Sequence, residues 1–323
     1  MKRIFLLLIV LFFQLSCKEK DQKTVFLPDS NGRINDLTVI MSSKSWNGYL
    51  GKKTRGLLSA PYKGLPIDEP QFSLKFIPEE IFSGFARNSR NIIWFVKDSI
   101  GSFQLFENMM AKPQLVAKVT GEDEKVQEFY LRENIQLYRE SISETEEKEK
   151  IRRIKKSRSS SLDTFNRFKI SLTYPSAYLT VKDTTNFTWI QKRIKKGHMN
   201  IILYSLPIHK LKGVSVKKRI IEIRDSIGKR YIPGRVLGSH MITEQAYRPF
   251  FYKTKLNGKL AYLTIGTWEV KNDFMAGPFI NYIINDSINN RWMVIEGFTF
   301  APSANKRDHM FELKTILKSA ILQ

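Results

Sequence analysis

Cysteine is nearly absent. Of 323 residues only Cys17 carries a thiol, which excludes an internal disulfide, a Cys-rich zinc site and a Cys-x-x-Cys redox pair. Histidine is scarce as well. His198, His209, His240 and His309 stand far apart with no ligand spacing among them, so no metal site is expected. No apolar run reaches the roughly 18–20 residues of a membrane-spanning helix. No G-x-G-x-x-G, Walker A, H-E-x-x-H or G-x-S-x-G motif occurs, and no cofactor is implied. Acid is in short supply too: 31 Asp and Glu stand against 53 Lys and Arg, a net charge of +22. What is abundant is core-forming. A chain that is 42% hydrophobic and 12% aromatic does not stay disordered, and its length suggests two domains, each able to bury a core.

The first residues set the compartment. Lys2 and Arg3 precede an apolar run from Ile4 to Phe13, followed by Gln14-Leu15-Ser16-Cys17 and then the polar Lys18-Glu19-Lys20-Asp21. The run is too short to span a bilayer and suits the hydrophobic part of a signal peptide. A small residue before a lone cysteine at this point resembles a bacterial lipobox, although Gln14 stands where the pattern prefers an aliphatic residue. Residues 1–16 therefore read as a lipoprotein signal peptide, Cys17 as the lipidated residue and 17–30 as the tether. Acyl chains on Cys17 would hold the remainder to a membrane surface. The expected location is the cell envelope, lipid-anchored, at the periplasmic or surface face of an outer membrane.

The positive charge is concentrated. Residues 161–323 hold 26 basic and 11 acidic residues, and the stretch 191–235 alone holds 13 and two. Such a field attracts polyanions. At a lipid-anchored position nucleic acid is not the expected partner. An anionic lipid head, an acidic glycan or an acidic envelope protein is. The candidate binding cations are Lys192, Arg193, Lys195, Lys196, Lys217, Lys218, Arg219 and Arg224. A solvated basic face without a ligand is the plain alternative.

Hydrophobic patterning gives the organisation. Leu37–Met41, Phe72–Phe76, Asn91–Val96 and Gln114–Val119 read as strands, with a Ser45-capped helix after the first. These make residues 31–121 an α/β N-terminal domain. Leu131, Ile135, Tyr138 and Ile142 form one helical stripe, so 122–160 reads as a long charged connector helix that ends in the break Ser157–Ser161. In residues 161–323, Phe187–Ile194 and Met199–Leu206 read as a hairpin. Val216, Ile220, Ile223 and Ile227 mark a helix with Gly228 at its C-cap and Lys217, Lys218, Arg219 and Arg224 on its outer face. Asn257-Gly258 between two β-rich runs is a type I′ hairpin signal. A further hairpin spans Phe279–Phe300, and a terminal helix carries Met310, Leu313, Leu317 and Ala320. The expected class is α+β: an α/β N-terminal domain, then a basic antiparallel-sheet domain flanked by helices. Its order is similar to PsbP-like α/β/α sandwiches, a likeness of architecture that implies no reaction.

Chemistry-bearing constellations are weak, and no catalytic residue stands out. Ser215-x-x-Lys218 and Ser303-x-x-Lys306 match the Ser–Lys spacing of some acyl enzymes, but both serines also sit where helix starts want a cap. Asp68-Glu69 and Glu79-Glu80 offer adjacent carboxylates. Arg87, Asn88 and Arg90, just ahead of a buried strand, could recognise a carboxylate, phosphate or sugar, with Trp46-Asn47-Gly48, Gly64-Leu65-Pro66 and Glu69-Pro70 framing the same cleft.

Those segments, with Leu27–Gly32, Gly277-Pro278-Phe279, Gly297–Pro302 and Lys306-Arg307, resemble domain-of-unknown-function family 4837, a group of Bacteroidota envelope lipoproteins. The likeness spans nearly all of the chain after the leader. Its motifs are glycines, prolines and aromatics, so it implies an envelope lipoprotein and carries over no catalytic residue. The resulting expectation is a non-enzymatic envelope lipoprotein that binds or scaffolds through its basic C-terminal domain. A hydrolase or transferase acting on glycan or peptide is the alternative.

Overall fold

The structure, a computed structural model, describes residues 26–157, 163–211 and 215–323. Cys17, the leader and most of the Ser157–Ser161 break lie outside the described residues.

The first sheet forms because three short runs, Leu37–Met41, Ile92–Val96 and Leu115–Val119, are largely apolar on both faces. Strands β1 (Asp36–Met41), β2 (Ser73–Pro78), β3 (Asn91–Lys97), β4 (Ser102–Glu107) and β5 (Leu115–Gly121) lie in the order β2-β1-β3-β5-β4. β1, β2, β3 and β5 are parallel, and β4 runs antiparallel at the edge. Parallel strands need both faces covered. One face is covered by α1 (Ser43–Asn47), α2 (Tyr49–Leu58) and the long α3 (Glu124–Lys155), which enclose Leu37, Val39, Ile93, Val119, Leu131 and Tyr138. The other face is covered by 3-10 turns around Phe82 and Ala86. Ser42, not Ser45, caps α1, its hydroxyl accepting from the Ser45 amide at 3.1 Å.

The second sheet has eight antiparallel strands. β7 (Leu179–Thr184), β8 (Phe187–Ile194), β9 (Gly197–Pro207), β10 (His240–Thr243), β12 (Lys259–Lys271), β13 (Asp273–Asp286) and β14 (Arg291–Phe300) lie in the order β10-β12-β13-β14-β9-β8-β7. β11 (Phe250–Leu256) pairs with β12 through the expected Asn257-Gly258 turn, where both residues have positive φ. The short β6 (Ile170–Ser171) pairs with β15 (Ile321–Leu322). A four-residue helix, α4 (Asp163–Asn166), precedes β6. α5 (Val216–Tyr231) covers one face and α6 (Arg307–Lys318) the other. The chain is therefore α+β, with a helix-flanked antiparallel sheet in its second half.

Gly228 does not end its helix. α5 runs on to Tyr231, and Gly228 is buried where the Met241 carbonyl comes so close that a Cβ would stand 2.1 Å from it. The long α3 is also more than a connector. Leu131, Tyr138 and Ile142 serve the first core, while Ile151 and Ile154 reach the core beneath α6.

Candidate functional site

The described cavity is a cleft of about 900 Å³ between the two sheets. Its walls are the loop 60–71, the outer face of α3, the β11–β12 hairpin and α6. Leu263, Ile265, Ile280 and Met310 make an apolar floor, and the rim is polar and carries both signs. Pockets that hold small molecules span about 300–1,000 Å³ and combine an apolar lining with a few placed polar groups.

The loop wall is held rigidly. The Tyr62 amide donates to the Glu69 carbonyl at 2.8 Å, and the Gln71 amide to the Ala60 carbonyl at 2.9 Å. Glu69 caps α6, its two oxygens accepting from the Lys306 and Arg307 amides at 2.6 and 2.9 Å. Gln71 Nε2 donates to Ser143 Oγ on α3 at 2.9 Å. Leu65 leaves the loop to sit in the core of the second sheet. Gly64 makes this possible: its φ is +85°, and a Cβ there would lie 2.1 Å from Ile265 Cγ2.

Electrostatics divide the rim. Glu147 accepts from Lys314 at 3.0 Å and also from Lys318. Burial, then the negative Glu147, pushes the Tyr62 and Tyr282 hydroxyls well above their ordinary value, so both stay protonated hydrogen-bond donors. The hydrogen bond from Lys148 holds the Glu144 carboxyl below its usual range. Arg139 donates to the Leu57 carbonyl, while its Nε is buried without a partner and desolvation lowers its pKa. Lys63 lies over the Tyr252 ring at 5.9 Å. Counting Lys63, Arg139, Lys253, Lys314 and Lys318 against Glu140, Glu144 and Glu147, cations are in excess around the cleft.

Beside the cleft a buried charged cluster joins three elements. Glu312 of α6 accepts from Lys150 of α3 at 2.5 Å and from Lys192 of β8, with Tyr178 Oη at 3.5 Å. Burial alone would raise the Glu312 carboxyl, but the two lysines outweigh it and hold it below its ordinary value. Burial, then Lys192, lowers the neighbouring His309 imidazole.

The residues expected to bind do not form one site. Arg224 is buried, not on the outer face of α5; its guanidinium donates to both Glu296 oxygens and to Thr243 Oγ1, and lies 3.8 Å over the Phe279 ring. Arg90 is likewise buried, pairing with Glu146 at 2.6 Å and donating to the Arg33 carbonyl at 2.8 Å. Burying either charge unpaired would be costly, so each guanidinium is matched to a carboxylate inside the fold. Lys192 is committed to Glu312. Arg193, Lys195 and Lys196 are exposed at the β8–β9 hairpin. Lys217 and Lys218 are exposed beyond the other end of β9, with Arg219 bonded to Glu222 at 3.1 Å. An eleven-residue strand spans about 35 Å, so these are two basic regions.

Arg87 is exposed and Asn88 half-buried in a 3-10 turn at the N-terminal end of β3, where Gln114 Nε2 donates to the Arg87 carbonyl at 2.6 Å. Ligands of open parallel sheets sit at the opposite, carboxyl ends of the strands. Of the Gly64-Leu65-Pro66 and Glu69-Pro70 segments only Gly64 lines the cleft, and that cleft is a different place from Arg87–Asn91. Trp46 lies elsewhere, stacked on Phe76 at 4.7 Å. Ser215 makes no side-chain cap bond, Ser303 has φ +54°, and Glu79 accepts from Trp94 Nε1 at 3.2 Å. Among the described residues no group of three or more His, Cys, Asp or Glu is placed to hold a metal, and no helix is long and apolar enough to cross a membrane.

Fold and cleft together define a two-sheet α+β protein with an amphipathic cleft between its halves. The chain belongs to the family described as a domain of unknown function, DUF4837, whose model matches residues 132–319, more than half of the chain. Residues 30–155 match a second model, also a domain of unknown function, DUF8532. The motifs from Ser30 to Asn91 thus lie in the second family's stretch. No curated protein matches the chain. Among solved structures, the Saccharomyces cerevisiae Ran-binding protein Mog1p is 10% identical, with 48% of this chain and 90% of that chain covered and a TM-score of 0.33. The cyanobacterial PsbP (CyanoP) of Synechocystis sp. PCC 6803 is 10% identical, with 52% and 92% covered and a TM-score of 0.32. LpqN of Mycobacterium tuberculosis, a protein involved in cell envelope biogenesis, is 12% identical, with 47% and 81% covered and a TM-score of 0.29.

Proposed function

We propose that this protein is a non-enzymatic binding protein of a bacterial cell envelope, lipid-anchored at Cys17, that holds an anionic amphiphile in the cleft between its sheets. The observation that carries the reading is the pairing of an apolar floor, Leu263, Ile265, Ile280 and Met310, with a rim in which lysine and arginine outnumber glutamate. An apolar body would lie on that floor. Lys63 and Lys253, which carry no ion pair among the described residues, would meet the anionic group. The leader-like residues 1–16 and the Bacteroidota lipoprotein resemblance support the location. The exposed cations Arg193, Lys195, Lys196, Lys217 and Lys218 support attraction of anionic envelope material, which salt would weaken.

The hydrolase or transferase alternative, whose candidate pocket lay near Glu69, Arg87 and Arg90, has less support: Glu69 accepts from the α6 amides and Arg90 pairs with Glu146, which leaves only the exposed Arg87 free of a carboxylate partner among the described residues.

The test is calorimetric titration of the purified chain with a twelve-carbon alkyl phosphate and with its neutral alcohol. The phosphate should bind at least tenfold more tightly. Ile265→Glu should abolish binding of both ligands, and Lys63→Glu with Lys253→Glu should remove the preference for the phosphate. Equal affinity for the two ligands, or binding that survives Ile265→Glu, would end this reading.

A further inference from the structure

At one end of the second sheet two turns present large apolar side chains that nothing in the fold covers. Phe274 is the second residue of β13, just after the tight Lys271–Asn272 turn, where Asn272 has φ +64°, and its side chain is fully exposed. Leu237 is fully exposed at the tip of the loop 233–240, with the exposed Val236 beside it. Both tips are rigid. Arg235 Nη2 donates to Asp273 Oδ1 at 2.5 Å and ties the loop to the hairpin. Within the loop the Gly234 amide donates to the Ser239 carbonyl at 3.0 Å, and the Ser239 amide to the Val236 carbonyl at 3.0 Å. That ion pair neutralises the acid nearest Phe274; the hydrogen bond from Arg235 holds the Asp273 carboxyl down to about 2.

The cations of the β8–β9 hairpin project from the same end. Gly277 of β13 lies against the Thr299 carbonyl, Thr299 pairs with Met199 of β9, and Gly197 lies against the Phe300 carbonyl. Lys195 and Lys196 therefore stand two strands from Phe274, about 10 Å laterally, while the Leu237 loop, which leads into β10, lies on the other side of the β12–β13 turn. Lys271 is exposed in the β12–β13 turn, and Lys229 and Arg230 are exposed at the end of α5, where the chain enters the loop.

We propose that this end of the sheet is a membrane-docking surface: Leu237 and Phe274 enter the interfacial layer of a bilayer, and Lys195, Lys196, Lys229, Arg230 and Lys271 lie against anionic phospholipid heads. A bilayer fits better than a protein groove. The two apolar side chains stand on separate turns, with exposed lysine and arginine at the same end of the sheet, the arrangement in which aromatic and aliphatic residues anchor at an interface while cations meet the headgroups. The surface is separate from the cleft and needs no lipid on Cys17, so it stands or falls independently of the function proposed above.

The test uses residues 18–323 without lipid; every described element lies downstream of residue 26, so the whole fold is retained. Cosedimentation is measured with vesicles of phosphatidylglycerol and phosphatidylethanolamine, and with phosphatidylcholine alone. The chain should bind the anionic vesicles and bind phosphatidylcholine at least tenfold more weakly. Leu237→Ser with Phe274→Ser should weaken binding at least tenfold, on the scale of about tenfold per apolar side chain withdrawn. Phe274→Trp should bind as tightly or more tightly, which separates loss of the apolar anchor from loss of the fold. Lys195→Glu with Lys196→Glu should weaken binding most at low salt. A double-serine variant that binds as the parent does, or a parent that binds neither vesicle, overturns the proposal.

Discussion

Replacing Glu312 with glutamine tests whether charge holds the two halves together. Glu312 is 7% exposed and its partners, Lys150 and Lys192, are about one fifth exposed, at 20% and 18% of their side chains. Removing one partner of a fully buried pair costs about 3–5 kcal/mol, and an exposed pair contributes about 0–1 kcal/mol. Two lysines lose their acceptor here, and each keeps some access to water, so the expected loss is about 3 kcal/mol. By contrast Glu144→Gln, which breaks an exposed pair with Lys148, should change stability by no more than about 0.5 kcal/mol. The pH dependence has a defined sign. The folded carboxyl of Glu312 lies below its unfolded value of 4.5, so its contribution is complete above pH 4.5 and is lost as pH falls through the folded value. Urea denaturation at pH 7, repeated down to pH 3.5, reads both effects. Glu312→Gln should unfold earlier at pH 7 and show a shallower acid slope than the parent. A loss under 1 kcal/mol, or an unchanged acid slope, would refute the claim that this cluster braces α3, β8 and α6.

Four further variants probe the cleft wall, the buried arginine and the exposed lysines. Glu69→Ala removes the carboxylate that caps α6 and should cost about 1–2 kcal/mol in a urea titration, with faster amide exchange at Met310 in the first turn. Gly64→Ala combines a left-handed backbone with a Cβ 2.1 Å from Ile265, and should cost about 2 kcal/mol while weakening any ligand that lies on Ile265. Arg224→Met strands Glu296 in the core and should cost about 3–5 kcal/mol, whereas Lys217→Glu with Lys218→Glu should stay within about 0.5 kcal/mol; thermal melts of the two variants separate a buried brace from a solvated face.

Local pattern made many elements legible and told little about the site. The Asn257-Gly258 hairpin, the stripe of α3 and the apolar runs of β1, β3 and β5 are encoded within a few residues each. β4 escaped notice because it is a half-buried edge strand without strict alternation. The start of β13 escaped because its turn, Lys271-Asn272, is not an Asn-Gly signal. Arg224 is instructive. It lies four residues after Ile220 and three before Ile227, so helical spacing already set it on the apolar face, and only the habit of placing arginine outside pointed the other way. Its partner Glu296 is 72 residues further on, on another strand. The cleft is nonlocal in the same sense: the 60–71 loop, α3, β12 and α6 meet only in the folded chain. Leu65, an apolar residue in a loop marked by Pro61, Gly64, Pro66 and Pro70, was the one local hint that this loop is covered.

The same contacts bear on where the chain divides. A boundary near residue 160 was the natural reading of a charged helix feeding a serine-rich stop. The two family stretches share residues 132–155, which is most of α3. Cutting at 160 would take Leu65, Tyr62, Ile151 and Ile154 out of the core beneath α6 and leave Lys192 and Glu312 without Lys150. At about 1.5–3 kcal/mol for each well-buried side chain and less for the partly buried Tyr62 and Ile151, the apolar loss alone is about 5–8 kcal/mol. Whole domains are stable by about 5–15 kcal/mol. Residues 161–323 should therefore fail to fold cooperatively alone, although they contain all eight strands of their sheet, whereas residues 30–323 should melt as one unit. Near-UV circular dichroism of the two fragments decides it. A sharp melt from 161–323 would mean that α3 is a tether between independent domains and that the cleft is only a gap between them.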